Sequence, residues 1–463
     1  MKAHDAFRIA CAGLLAAGLA GCALVRHEPV VVKVDDAPAA WRHGGGQAPV
    51  QDHWWRAFGD PVLERHVERA LERNTDLLIA IARVAEARAL SVAEHGAELP
   101  QVDLGVGKAR SQSISPVSLK PYLATNKSAT LEVAWEADLF GRLSALDAAS
   151  DASLAASEDL RDATALAVAA QTASAYIDLR ALDERLAIAR RTLEARRAAL
   201  ALARARFEIG QSSALELAQA EAEYRATAQA VPQLVLAIER QARALSVLLG
   251  DVPRDIERGS DLLALSAPPV PDVGIPSALL RRRPDIAAAE ARVAASDAQL
   301  AAARAQLLPS VQLAGSIGRV GSTVFRGDPF TVWSIGASVL APIFHGGELR
   351  AQVDADAARR DQALAGYRRA VITAFSEVED QLAAIEQVHA QGEQAQARRA
   401  AVAEALRIAH NRYREGYTSY LDELDAQRNL YDAEQTVVQL RADWLTAHVD
   451  LYRALGGGWR TGR

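Results

Sequence analysis

The segment Arg412-Tyr413-Arg414-Glu415-Gly416, followed by Ser419-Tyr420-Leu421, has a close counterpart earlier in the chain, Arg206-Phe207-Glu208-Ile209-Gly210, followed by Ser213-Ala214-Leu215. The two copies lie about 206 residues apart. A period of that length is too long for a solenoid repeat. The sequence therefore predicts a duplicated unit with internal pseudo-symmetry, whose two copies end in the same kind of turn.

Long uninterrupted helices lead into both turns. Residues 143–209 contain no glycine and no proline, which predicts a helix of roughly 100 Å at 1.5 Å per residue. Gly210 ends this helix as a C′ residue, and Ser213 with Glu216 forms a capping box for the returning helix. Leucines spaced by seven predict a coiled-coil seam, and residues 348–413 repeat the plan.

Short segments with alternating apolar residues predict one strand hairpin in each copy, over 101–138 and 310–343. Strands of about ten residues suit an outer membrane, but four strands cannot close a barrel, and open edges cannot face lipid. Two chains would make a filled barrel, whereas three would make a twelve-stranded barrel with a lumen. The predicted fold is mainly α with a small β part: long coiled-coil helical hairpins and four strands per chain, which three or more chains would pool around one axis if the function is passage.

These patterns divide the chain into consecutive segments. They are a lipoprotein signal peptide at 1–21, an extended N-terminal segment at 22–61, a first repeat at 62–250 with a long helical hairpin at 143–249, a proline-rich linker at 251–275, a second repeat at 276–456 with a long helical hairpin at 348–455, and a flexible tail at 457–463.

The N-terminal segment has the features of an export signal. A short apolar run, too short to span a membrane as a mature helix, ends in Leu19-Ala20-Gly21-Cys22. This box is similar to a bacterial lipoprotein cleavage site, so Cys22 would carry lipid and anchor the chain to a bilayer. The alternative is an ordinary signal peptide with an incidental cysteine. Because Cys11 lies inside the signal, the mature chain could form no internal disulfide.

Composition and motif content exclude several function classes. The net charge is −6 and the pI is about 6.0, which argues against a nucleic-acid partner. The ten histidines show no metal-ligand spacing, and neither a phosphate-binding loop nor a catalytic constellation is found. The sequence thus predicts no enzyme, no cofactor and no metal site.

A series of motifs resembles the TolC-like outer-membrane factors of tripartite efflux systems, in their lipoprotein (NodT-type) branch. The resemblance covers almost the whole mature chain, with departures at His345, where the family commonly has Asp, and at Glu348, where a basic residue is common. The motifs are Trp54-Trp55-x-x-Phe58-x-Asp60-Pro61, Leu139-Phe140-Gly141-Arg142-Leu143, Arg282-Arg283-Pro284-Asp285, Pro342-Ile343-Phe344-x-Gly346-Gly347, and Tyr413-Arg414-x-Gly416 continuing to Arg428.

The resemblance implies a homotrimer in which the long coiled-coil helical hairpins form a trimeric α-barrel, joined to a shared transmembrane β-barrel with four strands per chain. It would lie in the outer membrane, lipid-anchored and extending into the periplasm. Its partners would be a periplasmic adaptor protein and an inner-membrane transporter, such as one of the resistance-nodulation-division type. The implied function is a passive exit duct. One alternative is the outer-membrane component of a type I protein secretion system, and another is a coiled-coil structural lipoprotein, against which the strand hairpins argue. The cargo could be drugs, metals, solvents or protein.

The two turns are the first candidate site, since their shared pattern predicts a shared surface. In the family these tips meet the adaptor. The alternative role is purely local, with C′ glycines and arginines that complement the helix dipole. The predicted adaptor-contacting residues are Arg206, Phe207, Gly210 and Ser213 in the first copy, and Arg412, Tyr413, Gly416 and Ser419 in the second.

The second candidate site is a periplasmic gate at Leu421, Asp422 and Asp425. The two aspartates are three residues apart and share a helix face, so threefold symmetry would arrange them as rings of carboxylates. Family resemblance also assigns the positions of Leu421 and Asp425 to the constriction of the closed end. The alternatives are a helix cap for Asp422 and a surface charge paired with Arg428 for Asp425.

Overall fold

A computed structural model describes residues 38, 40–50, 52–116, 118–324, 329–457 and 459. The predicted signal peptide and Cys22 lie outside the described residues. Within the described part of the chain, no helix has the length and apolar character needed to cross a membrane. The predicted fold class is confirmed, because the chain is mainly helical with one small antiparallel sheet of four strands.

From the helix that directly precedes each strand hairpin onward, helices and strands follow the same order in the two halves of the chain. The long helices match in length, with α3 and α6 at 67 residues each and α4 and α7 at 35 residues each. The elements are α1 (Pro61–Arg73), α2 (Thr75–Ala97), β1 (Gln101–Ile114), β2 (Pro121–Ala137), α3 (Arg142–Glu208), α4 (Ala214–Leu248), α5 (Pro284–Ala305), β3 (Ser310–Ser322), β4 (Phe330–Leu340), α6 (Glu348–Arg414) and α7 (Tyr420–Ala454).

The strands pair as β1-β2-β3-β4 with all neighbours antiparallel, so β1 and β4 are the two edges of the sheet. They are 14, 17, 13 and 11 residues long, which is longer than the ten expected. The extra length arises because the β1–β2 ladder continues past the apolar alternation into polar residues, including the pair Lys108 and Lys127.

Cross-strand partners share one side of a sheet, and the register therefore separates two faces. We call one the apolar face; its residues include Val102, Leu104, Val106, Leu131, Val133, Trp135, Leu313, Ile317, Trp333, Ile335 and Val339. The other, the polar face, includes a row in which Asp103, Glu132, Ser316 and Ser334 are successive partners. The hydroxyls of Ser316 and Ser334 are 2.8 Å apart.

The described chain forms two compact units, and each takes segments from both halves of the sequence. One unit comprises Arg83–Glu158 and Ala288–Arg368 and contains the sheet. The other comprises the described residues up to Ala82, Asp159–Ala287, and those from Arg369 onward. The turns between α3 and α4 and between α6 and α7 belong to this second unit.

The opening Trp-Trp motif supplies core residues and a buried polar hub in the second unit. Trp54 stacks on Tyr452 with ring centroids 5.7 Å apart. Asp60 accepts hydrogen bonds from the backbone N–H of Val62, at 2.8 Å, and from the Tyr176 hydroxyl, also at 2.8 Å. Burial and the hydrogen bond to Asp60 raise the pKa of Tyr176. This motif therefore caps α1 and packs it onto α3.

The Arg-Arg-Pro-Asp motif has a comparable structural role. Arg283 is buried and pairs with Asp285 and Glu377, each at 2.7 Å, and it donates to the carbonyl of Ala454 at 3.1 Å. These contacts join the start of α5 to α6 and to the end of α7. In the segment predicted as a tail, the Trp459 indole donates to Asp162 at 2.9 Å, while residues 460–463 lie outside the described residues.

Candidate functional site

The two hairpin turns have the same backbone geometry, as their shared sequence pattern suggested. Gly210 and Gly416 have φ of 74° and 80°, the left-handed region that favours glycine. The N–H of the residue after each glycine donates to the carbonyl of Arg206 or Arg412, at 2.8 Å in both turns. This six-to-one bond is the Schellman closure of a helix C-terminus. Both turns are thus built by the same local chemistry.

The returning helices begin differently in the two turns. The Ser213 hydroxyl accepts the N–H of Glu216 at 3.2 Å and caps α4 as predicted from the sequence. The Ser419 hydroxyl does not cap α7; instead it donates to the Asp422 carboxylate at 3.4 Å, as does the Thr418 hydroxyl. The hydrogen bond from Thr418 lowers the pKa of Asp422. The capping box of the second turn therefore depends on Asp422.

Tyr413 connects the first hairpin, α3 and α4, to the second, α6 and α7. Its side chain is only 7% exposed, and its hydroxyl donates to the carboxylate of Glu216 on α4. The guanidinium of Arg206 lies 4.7 Å from the centre of its ring, within cation–π range. Burial and the bond to Glu216 raise the pKa of Tyr413 to about 12, so the phenol stays a donor at neutral pH.

A second connection between the hairpins is ionic. Glu223 on α4 pairs with Arg196 on α3 at 2.9 Å, and it accepts from the Nε of Arg428 on α7, also at 2.9 Å. The side chains of Arg196 and Glu223 are 7% and 12% exposed, whereas that of Arg428 is 47% exposed. Burial lowers the pKa of Arg196, and the bond to Glu223 raises that of Arg428. One carboxylate thus joins helices from both repeats.

A third polar contact lies inside the second hairpin. The Nδ1 of His410 on α6 is 2.9 Å from the buried carboxylate of Glu423 on α7, which also accepts from Gln427 at 3.1 Å. Tyr420 packs beside them with its ring 5.5 Å from that of Tyr413. These side chains hold α6 and α7 together next to the turn.

The predicted gate residues lie on the exposed side of the start of α7. Leu421 is 47% exposed, and Asp422 and Asp425 are exposed as well. Asp425 lies 3.6 Å from Arg428, the partner that the surface-charge alternative named. Of the predicted tip residues, Tyr413 is buried, Arg206 is half-buried, and Phe207 and Arg412 are exposed. The gate and adaptor roles stay predictions.

Sequence reasoning did not identify the contacts that join the hairpins. It treated Glu216 only as half of a capping box, and it did not single out Arg196, Glu223 or His410. No local signal singled out Arg196 or Glu223, since both stand among other charged residues, such as Arg197 and Glu221. The pairing of Glu223 with Arg428 could not be found, because the partner is 205 residues away.

One further group of side chains lies in the unit that contains the sheet. The ligand atoms of His95, Glu98 and Asp147 are within 4.8 Å of one another, and the Nδ1 of His95 is 3.7 Å from Asp147. The spacing along the sequence did not predict this group, because Asp147 follows only after the strand hairpin. A direct contact between His95 and Asp147 accounts for the group without a metal ion.

Comparisons with known proteins agree on one class. The family model for the outer membrane efflux protein matches residues 66–251 and 275–457. The chain is 35% identical to the pyoverdine export outer membrane protein OpmQ of Pseudomonas aeruginosa over 92% of each chain, and 30% identical to nodulation protein T of Rhizobium leguminosarum bv. trifolii over 88% of each. Among solved structures, the outer-membrane channel OprN matches with a TM-score of 0.82 and 31% identity, covering 94% of this chain and 100% of that one.

Proposed function

Because this chain belongs to the outer membrane efflux protein family, we propose that it works as the exit duct of a tripartite efflux pump, closed at the helical tips until the pump assembles. Its role is transport through the outer membrane and not catalysis. The observation that carries the proposal is the pair of matching hairpins, α3–α4 and α6–α7, tied to each other next to their turns by Tyr413 and Glu223.

The sheet supports assembly as a trimer. Its edge strands β1 and β4 leave backbone groups that an adjacent copy can pair with. Three copies supply twelve strands, enough for an aqueous lumen. In that arrangement the apolar face meets lipid, and the polar face, with Asp103 and Glu132, lines the passage. Cys22 adds a lipid anchor that is separate from the spanning strands.

The partners follow from the architecture of the tips. We assign the surface around Arg206, Phe207 and Gly210, and the equivalent surface around Arg412 and Gly416, to contact with a periplasmic adaptor. Apolar side chains protrude there, since Ile209 and Leu215 are exposed in the first turn and Tyr417 in the second. An inner-membrane transporter of the resistance-nodulation-division type delivers the cargo. The relative OpmQ is a pyoverdine export protein, and we propose a small-molecule cargo here as well.

Two effects oppose each other at the gate: repulsion between carboxylates, and the two contacts that join the hairpins next to their turns, which we call the ties. Rings of Asp422 and Asp425 on a threefold axis repel one another, which favours opening. Tyr413–Glu216 and Arg428–Glu223 hold the second hairpin against the first, and Leu421 packs in the narrow end. The adaptor would bind the tips more tightly in the open duct, in which these ties are broken, than in the closed duct. Its binding would therefore shift the population toward the open duct.

A deletion strain tests the function. Cells lacking the gene should become more susceptible to pump substrates, and a plasmid copy should restore resistance. The protein should run as a trimer before heating and as a monomer after it. A Gly210→Val/Gly416→Val variant should keep the trimer but lose export and crosslinking to the adaptor. Unchanged crosslinking in that variant would remove the tips from the adaptor site and leave the channel assignment intact.

A further inference from the structure

All basic residues of the four strands lie on the same face. Lys108 on β1 is the direct cross-strand partner of Lys127 on β2. The partner of Arg319 on β3 is Ala129, two residues after Lys127 on β2. The partner of Arg110 on β1 is Thr125, two residues before Lys127. Residues two apart on a strand point to the same face. We call these four residues the basic cluster.

The basic cluster continues the apolar face. On this face, Leu104, Leu131 and Ile317 are cross-strand partners, and the next two rows of partners contain Arg319 and then Lys108 with Lys127. From Trp135, near the helical end of β2, to Lys127 is eight residues, or about 27 Å along the strand, which is about 20 Å of height for a strand tilted by about 40°. An outward-facing apolar band in a membrane barrel is about 25 Å tall. The cluster therefore lies toward the far edge of the hydrocarbon band, on the side away from the helices, where long lysine and arginine side chains reach the polar interface.

Acidic side chains are excluded from this face within the strands. Asp103, Glu132 and Glu136 all have the opposite parity and belong to the polar face. All four cluster residues are exposed, and none of them forms an ion pair with another described residue. Like charges directly opposite each other, such as Lys108 and Lys127, are destabilising in a sheet. An external anion would remove that repulsion.

The cluster also encloses a depression of suitable size. Lys108, Lys127 and Arg319 contribute to the lining of a cavity of about 840 Å³, beside the apolar side chains of Val106 and Ala129. Arginine binds phosphate oxygens in a bidentate way, and lysine binds them as a point charge. A ligand that fits would combine phosphate groups with acyl chains that run along the apolar face.

We propose that the basic cluster binds the phosphate groups of a phosphorylated, acylated sugar lipid in the outer leaflet. This rests on the proposed function, because the sheet must cross the outer membrane for the apolar face to meet lipid. The bound lipid sets the depth of the barrel in the membrane and shields the paired lysines. Charge complementarity selects this occupant over a neutral lipid, which would leave the repulsion in place.

Native mass spectrometry of the detergent-solubilised trimer tests the proposal. The probes are diphosphoryl lipid A, its dephosphorylated form and inorganic phosphate. The wild type should bind the diphosphoryl form, release it as ionic strength rises, and bind the other two at least about 10-fold more weakly. Equal binding of the dephosphorylated lipid would overturn the proposal, and equal binding of inorganic phosphate would reduce it to a plain anion site.

Variants assign the site to the cluster. Lys108→Gln/Lys127→Gln/Arg319→Gln should lose about 10-fold or more in affinity for diphosphoryl lipid A. Arg197→Gln/Arg225→Gln/Arg243→Gln removes three exposed helix charges and should bind as the wild type does. Identical affinity in both triple variants would refute the proposal. If the first triple variant forms no trimer, the single variants Lys127→Gln and Arg319→Lys are measured instead. Wild-type affinity for diphosphoryl lipid A in both single variants would refute the proposal.

Single-channel conductance separates this proposal from the proposed function. A cluster variant that conducts normally but binds the lipid weakly supports both. A wild-type trimer that binds lipid A but never conducts contradicts the exit duct alone.

Discussion

Replacing Arg428 with glutamine removes the ionic tie between the hairpins while leaving most of its surroundings intact. The variant loses the contact of Arg428 with Glu223 but keeps the buried pair of Glu223 with Arg196 at 2.9 Å. Arg428→Gln is therefore preferable to Glu223→Gln, which would leave Arg196 buried without its carboxylate, at about 3–5 kcal/mol. We expect the trimer to form and the gate to open more often.

The magnitude follows from the exposure of the pair. A hydrogen bond to a charged group contributes about 1.5–3 kcal/mol when buried, and an exposed ion pair contributes about 0.2–1 kcal/mol. Because Glu223 is 12% exposed and Arg428 is 47% exposed, we take about 1 kcal/mol for each protomer. Three protomers that open together then shift the closed-to-open ratio on the order of 100-fold.

The open probability of single channels in planar bilayers measures this shift. Arg407→Gln is the matched control, since Arg407 pairs, among the residues that the structure describes, with Glu404 on its own helix. Arg428→Gln also removes the weaker contact of Arg428 with Asp425, and Asp425→Asn measures the effect of losing that contact alone. The double variant Arg428→Gln/Glu223→Gln completes a cycle that should give a coupling of about 1 kcal/mol per protomer. An open probability equal to that of Arg407→Gln would refute the role of the tie.

Further changes probe the same tip. Tyr413→Phe keeps the ring beside Arg206 but removes the donor to Glu216, so influx of large antibiotics should rise at unchanged trimer level in an accumulation assay. Leu421→Ala should increase the same leak by loosening the narrow end. Asp422→Ala/Asp425→Ala should weaken cation selectivity and block by multivalent cations, measured as reversal potential and metal titration. The hydrogen bond from Thr418 lowers the pKa of Asp422. The carboxylate therefore stays charged, and contributes to cation selectivity, until the pH falls through this lowered pKa. Wild-type cation selectivity that is already lost near the ordinary aspartate pKa would contradict this. Cys22→Ser behind a non-lipoprotein signal should still give outer-membrane trimers on an unheated gel.

Local chemistry made much of the fold predictable. The absence of glycine and proline over 143–209 predicted a long helix, and the structure has one over Arg142–Glu208. Alternating residues such as Leu131 and Val133 predicted strands, and they occupy one face of the sheet. Gly210 and Gly416 predicted the turns, because few other residues adopt the left-handed conformation that closes a helix.

The contacts of the candidate site could not be predicted in the same way. The capping box with Ser213 already explains a glutamate at position 216. The sequence therefore offered no reason to expect the contact of Glu216 with Tyr413. Glu223 and Arg428 come together only when the two hairpins pack side by side, and no local pattern encodes that register. The basic cluster also required the pairing of β1, β2 and β3, since its four residues are spread over more than 200 positions.

The current through purified trimers in planar bilayers, compared between the wild type and Tyr413→Phe/Arg428→Gln, tests the account most directly. The two contacts next to the turns, Tyr413–Glu216 and Arg428–Glu223, are absent in this double variant, while the sheet and the buried Arg196–Glu223 pair remain. The account predicts a channel in both proteins, mostly closed in the wild type and open with a larger, lasting conductance in the double variant. No current from heat-modifiable trimers of either protein would contradict the duct, and the same conductance in both would contradict a gate held shut by these contacts.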